Sequence, residues 1–300
     1  MIRIEYIRDG LIEEFHEGFV YCSIPYKKND LNNNTPYYLR SCAKPLQASL
    51  LIDYNIDLTP TELAFCSGSH SGEDCHIKTG LRILKKLGFS EDFLKCGIHE
   101  PLSKTAQKNL IIKNEQPKSI HNNCSGKHIG FLAICKKMDW DLNTYYEPTH
   151  PLQIEIRKKI YELCEVNQDF PLTTDGCGVP IVSMPLPNIV KGYINLQKQY
   201  PQITEAIKQN PYVFGGENRT DTEIIQKTDN LVAKVGACGL CVVLNCKEQQ
   251  AFVLKINDAS YEARRIGVFG IINDLGWGKI EYDNKIKTLQ NKIVGEIKVI

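Results

Sequence analysis

The stretch NLVAKVGACGLCVVLNCKEQQAFVLKIND, residues 230–258, decides how the chain folds. It reads as three runs, NLVAKVGA, LCVVLNC and QAFVLKIND, rich in Val, Leu and Ile and bounded by Gly, Asn or Asp. Such runs favour strands, and turns this short join antiparallel neighbours. Working outward, YEARRIGVFGIINDLG (261–276) has helical apolar spacing and EIKVI (296–300) is a last strand. At the other end, RIEYI (3–7) and GFVYCSI (18–24) form an opening pair of strands. Between them the spacing predicts helices over 44–54, over 73–87 with Gly88 as its cap, and over about 124–137. A further helix spans 151–166, where Pro151 suits the first turn and Leu152, Ile156, Ile160 and Leu163 share one face. The polar run KKNDLNNNTP at 27–36 is a loop. The expectation is an α+β fold: an antiparallel sheet built from N- and C-terminal strands, with helices on its faces. With no repeat and no Pro/Gly/Ser linker, a single domain over 1–300 is the simplest organisation.

The 300 residues are 42% hydrophobic and 24% charged, with 36 Lys plus Arg against 35 Asp plus Glu. A formal net charge of +1, with lysines scattered rather than blocked, gives no electrostatic case for nucleic acid or a membrane surface. MIRIEYIRDG alternates like a strand and lacks a signal peptide's apolar run, and no stretch reaches the roughly eighteen apolar residues of a membrane helix. A cytoplasmic protein is expected, its 12 cysteines being thiols rather than a disulfide framework. Cys22, Cys96, Cys135 and Cys164 lie in apolar runs and read as small core residues.

Four strings carry chemistry. In RSCAKPLQ, Ser41 and Lys44 form an S-x-x-K pair one helical turn apart, so that a desolvated lysine can take the serine's proton. Chance alone supplies roughly one such pair in a chain of this size, so the pair by itself decides nothing. In CSGSHSGED (66–74), Ser69, His70 and Ser71 can hydrogen-bond a ligand, or Ser71 can simply cap the next helix. HNNCSGKHIG (121–130) places Cys124 and Lys127 three apart beside His128, and TTDGCGVP (173–180) places Cys177 between two glycines. Cys124 and Cys177 can serve as zinc thiolates, with His128 or another group completing the site, although no zinc-finger spacing joins them. Cys238 and Cys241 form a C-x-x-C that is metal-binding, redox-active or mere packing at a turn entering a strand.

Together, YLRSCAKPLQ, CSGSHSGE, NNCSGKHIGFL, TDGCGVP, KVGACGLC and VLKIND resemble the rhizobial-type L-asparaginases, zinc-binding amidohydrolases related in fold to serine β-lactamases and penicillin-binding proteins. The resemblance runs from about residue 3 to 270. It implies Ser41 as nucleophile with Lys44 as its base, and a second serine–lysine pair of Ser69 with Lys255 in VLKIND. It also implies zinc held by Cys124, Lys127 and Cys177, with His128 beside the metal but not on it. A metal-bound lysine must be deprotonated, and coordination supplies the driving force. Gly126 between the ligands removes side-chain bulk. Cys241 or Cys238 is a further cysteine near the metal, and Arg219 and Asp221 in GENRTDT (216–222) belong to a substrate-side loop or, equally, to a capped helix start. A homodimer is implied by the resemblance alone. The expected reaction is hydrolysis of L-asparagine to aspartate and ammonia. Two alternatives stay open: a β-lactamase-like or glutaminase-like acyl hydrolase with another substrate, and a non-catalytic zinc-binding or redox protein in which Ser41 is only a cap.

Overall fold

In the computed structural model, which describes residues 1–30 and 34–300, the three runs of the 230–258 stretch are the strands Leu231–Val235, Leu240–Asn245 and Gln250–Ile256. In chain order the strands are β1 (Ile2–Arg8), β2 (Leu11–Cys22), β3 (Pro36–Tyr38), β4 (Leu172–Thr174), β5 (Pro180–Pro185), those three as β6, β7 and β8, then β9 (Lys285–Lys287) and β10 (Ile293–Val299). The helices are α1 (Lys44–Gln47), α2 (Ser49–Asp53), α3 (Pro60–Ser67), α4 (Asp74–Leu87), α5 (Lys104–Ile112) and α6 (Ser125–Met138). They continue with α7 (Pro151–Leu163), α8 (Leu186–Gln199), α9 (Pro201–Gln209), α10 (Pro211–Phe214), α11 (Thr220–Lys227) and α12 (Tyr261–Asp274). Residues 31–33 of the expected 27–36 loop lie outside the described residues.

Seven strands make one antiparallel sheet in the order β6-β7-β8-β2-β1-β10-β9, so strands from the two ends of the sequence interleave. The α+β expectation holds. Both faces of the sheet are covered. On β7 and β8, Leu240, Val242, Leu244, Ala251 and Val253 point into one core with the helices, whereas Cys241, Val243, Phe252, Leu254 and Ile256 point into a second core beneath α12. The period of two survives although every β7 position is buried, which is why these strands read as continuous apolar runs. Cys22, Cys96, Cys135 and Cys164 are buried as expected.

The expected 44–54 helix is two short pieces, α1 and α2, joined at Ala48. The 73–87 helix begins at Asp74 and ends on Gly88 at φ +74°, a left-handed conformation that glycine adopts without steric cost. Ser71 does not cap it, since its hydroxyl donates to Gly215 O (3.0 Å) and Glu73 is the N-cap. α6 runs through the middle of the helical layer, buried at every residue from Ser125 to Cys135. A three-stranded sheet, β3-β5-β4, completes the fold beside α1. Among the described residues, no helix is long and apolar enough to cross a membrane.

Candidate active site

Ser41 lies in a 3-10 turn, Arg40–Ala43, that leads directly into α1, and Lys44 N–H closes the turn on Ser41 O. Arg40 occupies the left-handed region at φ +48°, an uncommon position for a non-glycine residue. Its guanidinium is held on both sides. Nε donates to Asp175 Oδ1 at 2.8 Å, and Nη1 reaches Cys238 Sγ at 3.6 Å. The ion pair therefore ties the Ser41 turn to the loop that carries Cys177, a link across 135 residues of sequence.

Lys44 is buried, with its ammonium donating to Ser69 Oγ (2.8 Å) and to Asn123 O (2.9 Å). Ser41 Oγ has no hydrogen-bond partner among the described residues. Lys44 thus bridges the end of α3 and the start of α6. Ser69 N–H donates to Phe214 O at 3.0 Å, which fixes that loop against α10.

Among the described residues no contact joins Ser69 to Lys255, and the lysine on Ser69 Oγ is Lys44. Lys255 sits at the end of β8, donates to Ile256 O (2.7 Å) and stands 5.8 Å over the Tyr37 ring. It lines a cavity of about 440 Å³ together with Arg40, Thr173, Thr174, Cys238 and Leu240. The late-strand lysine that enters the helical layer is Lys234 on β6. Val232 shares its face, whereas Leu231, Ala233 and Val235 turn to the other core, so strand alternation aims Lys234 at the helices. Lys234 is fully buried, 3.5 Å from the equally buried Asp221, with its ammonium donating to Val235 O and 5.5 Å from the Phe214 ring. Backbone O of the same residue accepts from Cys42 Sγ (3.2 Å), which places β6 against the Ser41 turn. Desolvation pulls Lys234 down to about 8, with Lys44 adding to the shift and the Asp221 carboxylate opposing it.

Cys124, Lys127 and Cys177 come together as the sequence led us to expect. Cys124 is the N-cap of α6, Lys127 follows on its first turn, and Lys127 Nζ donates to Cys177 Sγ at 3.0 Å. All three are buried. Asn122 braces the turn, accepting from Cys124 N–H and donating to Cys96 O. The hydrogen bond from Cys177 holds the Cys124 thiol well below its ordinary value against the cost of burial, helped by the Lys44 and Lys127 cations. Cys177, as the donor of that pair, is pushed up. Burial alone lowers Lys127, but the Cys177 and Cys124 sulfurs outweigh it and raise the amine above its usual value. Two soft sulfurs and one nitrogen converging in a buried pocket suit a tetrahedral zinc ion with one position open. His128 Nδ1 is hydrogen-bonded to Tyr145 OH (2.7 Å), and its Nε2 is buried with no hydrogen-bond partner among the described residues.

Three further sequence candidates are placed as follows. His70, expected to face substrate, is fully buried with neither nitrogen free: Nδ1 accepts from Gly72 N–H and Nε2 bonds Ser125 Oγ at 2.8 Å. It instead belongs to a column of stacked rings, Phe65–His70–His76–Tyr212, at 4.9, 5.0 and 5.9 Å. Asp221, also expected on the substrate side, is wholly enclosed; Arg219 does line a surface cavity of about 660 Å³ with Tyr212 and Tyr261. The C-x-x-C comes apart, because Cys238 is exposed on the β6–β7 turn while Cys241 is buried under α12 on the far face from Cys124 and Cys177. A further group of metal-ligating types, Glu73, Cys75 and His76, lies within reach of a single ion, but His76 already accepts from Glu73 N–H and bonds Tyr212 O.

Lys234, Arg40 and Asp175, which stand around the Ser41 turn, are residues that the sequence did not single out. Only Lys234 left a signal, a lysine in LVAKV at a position where alternation calls for an apolar residue.

The profile of the L-asparaginase II family matches residues 4–299. Among solved structures, the chain is similar to a β-lactamase from Mycobacterium bovis at a TM-score of 0.41 and 10% identity, covering 91% of this chain and 93% of that one. It is similar also to a β-lactamase/D-alanine carboxypeptidase from Pseudomonas syringae, at a TM-score of 0.40 and 12% identity over 92% of this chain and 93% of the other. A comparison with curated proteins finds no match. With the family profile spanning almost every residue, the chain belongs to the L-asparaginase II family of amidohydrolases.

Proposed function

We propose that this protein hydrolyses the side-chain amide of L-asparagine to L-aspartate and ammonia, with Ser41 as nucleophile. The observation that carries the reading is the buried Lys44, one turn after Ser41 and hydrogen-bonded to Ser69 Oγ. As the free amine, Lys44 takes the Ser41 proton while Oγ attacks the amide carbon. The same nitrogen returns a proton through Ser69 to the departing amide nitrogen, the C–N bond breaks, and an ester to Ser41 remains. Water, deprotonated by the same lysine, hydrolyses that ester and restores the serine. Lys234, whose strand packs against the Ser41 turn at Cys42, supplies positive charge for the oxyanion.

Cys124, Lys127 and Cys177 are the residues that would hold zinc, and their donor set fits it. When bound, the ion supplies a fixed positive charge that orients or polarises a substrate group. The homodimer expected from the resemblance belongs to the same proposal and is checked by the mass in solution.

The test is ammonia release from L-asparagine by wild type and Ser41→Ala, beside L-glutamine and a chromogenic β-lactam. Asparagine turnover falling at least about a thousandfold in Ser41→Ala supports the reading. Folded wild type that turns over glutamine or the lactam but not asparagine refutes the substrate, and full activity in Ser41→Ala refutes the nucleophile.

A further inference from the structure

We infer that Asp221 is a positioning residue, which anchors Lys234 in the active site and keeps it charged, rather than a contact for substrate. The inference rests on Lys234 belonging to the active site as proposed above. Its basis is the way the carboxylate is enclosed. Asp221 is the second residue of α11, with no solvent exposure, and Gly215 closes over its Oδ1 so tightly that a Cβ there would lie 3.1 Å away. With no exposed surface, it offers substrate no contact in this structure.

Its polar contacts are donors and cations, with Thr222 N–H also donating to Oδ1 at 3.3 Å. Oδ2 lies 3.5 Å from Lys234 Nζ and accepts from Val235 N–H at 3.4 Å, while Oδ1 lies 3.9 Å from Arg219 Nε. The carboxylate thus grips Lys234 twice, once at the ammonium and once through the backbone of the next residue on β6. Lys234 meets Asp221 and Arg219 from the α11 end, Lys44 from α1, the Cys42 thiol from the Ser41 turn and the Phe214 ring from α10. Arg264 of α12 stands on the Asp221 side, with its Nη1 on Gly236 O at 2.8 Å. Asp221 is the one carboxylate among these neighbours, set against two lysines and two arginines.

The consequence has a fixed sign. Burial favours the neutral amine at Lys234, with Lys44 and Arg219 adding to it, while Asp221 first and then the Cys42 sulfur oppose them. Without the carboxylate the ammonium loses its counter-charge, and its titration moves to lower pH. Any limb of the pH–rate profile set by Lys234 moves the same way, whether turnover needs the lysine charged or neutral.

The experiment compares wild type, Asp221→Asn and Asp221→Ser in two readouts: the pH profile of kcat and KM for asparagine, and a lysine 13Cε NMR titration. The Lys234 resonance is assigned by its loss in Lys234→Met. In wild type that resonance should titrate near pH 8. In either Asp221 variant it should move down by about one unit or more, the matching limb of kcat should follow it, and KM should hold within about twofold. Should Asn fail to fold, Ser, which leaves room for a water, decides alone, and Asp221→Glu should return both readouts toward wild type. A folded variant whose Lys234 resonance stays put overturns the inference. So does a rise in KM with an unmoved profile, which marks Asp221 as a substrate contact, and so does a wild-type resonance titrating above about 10, the range of an ordinary lysine. The NMR arm needs no turnover, so failure of the asparaginase reading and failure of this one are separable.

Discussion

Two glycines one turn apart on α6 give opposite predictions. A Cβ built on Gly126 would lie 2.4 Å from Phe65 O, a backbone atom of α3, whereas one on Gly130 meets only Cys66 Cβ and the Leu51 methyls at 3.4–3.5 Å. Alanine favours a helix interior over glycine by about 1 kcal/mol, so Gly130→Ala should raise stability by up to that amount. At Gly126 the same gain is available, but relieving the contact requires α3 and α6 to separate by about 1 Å, and overpacking of that kind costs about 1–3 kcal/mol. A rigid carbonyl cannot swing aside as a side chain does, so the upper part of that range applies and the net is a loss of about 1–2 kcal/mol. For a chain of this length the two variants should therefore move Tm in opposite directions by roughly 2–4 °C each. The displaced carbonyl belongs to Phe65, whose ring stacks on His70, and the shifted turn carries Cys124 and Lys127. Gly126→Ala should thus lower asparagine turnover and zinc content along with Tm, while Gly130→Ala leaves both unchanged. Thermal unfolding by circular dichroism, with metal analysis on the same samples, reads the outcome. A Gly126→Ala variant as stable as Gly130→Ala would falsify the close approach of α3 and α6.

Lys127→Met should reduce bound zinc severalfold with the fold intact, and zinc content equal to wild type after metal loading sinks the ligand assignment. Burial pulls Lys234 down to about 8, against 10.5 for an ordinary lysine, so between those values the unfolded chain should bind more protons than the folded one. Its burial therefore costs stability below pH 8, and unfolding free energy should rise by up to about 3 kcal/mol from pH 8 to 10.5. In denaturant titrations that rise should be missing from Lys234→Met, and parallel curves for the two proteins contradict the lowered titration.

The sheet was legible because each of its central strands alternates between two apolar cores, a pattern that survives without any knowledge of the partners. The three short strands β3, β4 and β5 were not, since β4 is exposed along its whole length and presents no alternation. In the site, Cys124 and Lys127 are local to one helical turn, and their spacing announces a shared face. Arg40 and Asp175 meet across 135 residues, and a single sequence holds no record of such a meeting. Lys234 and Lys255 part for a more instructive reason. Both lysines occupy the helix-facing side of their strands, but β6 runs beside the Ser41 turn while Lys255, opposite Leu240 at the strand end, opens onto the cavity of Arg40 and Cys238. His70 shows the converse: a polar residue in a polar string is, by burial and its bond to Ser125 Oγ, a structural link between Ser69 and α6.

The interleaved order of the large sheet bears on how the protein is made. β2 finds its second neighbour only when Gly18 meets Ile256, and β1 only when Ile4 meets Val299. A ribosome adding about 5–20 residues per second needs on the order of ten seconds to a minute between the first pair and its partners. Through that interval the β1–β2 hairpin carries apolar side chains and open edges, which are the groups that invite pairing with other chains. Loop closure over such separations also makes for slow folding. Yield in the cell should accordingly depend on chaperones that shield nascent strands, and the lysine of β6 takes its place beside the serine turn only after most of the polypeptide has emerged.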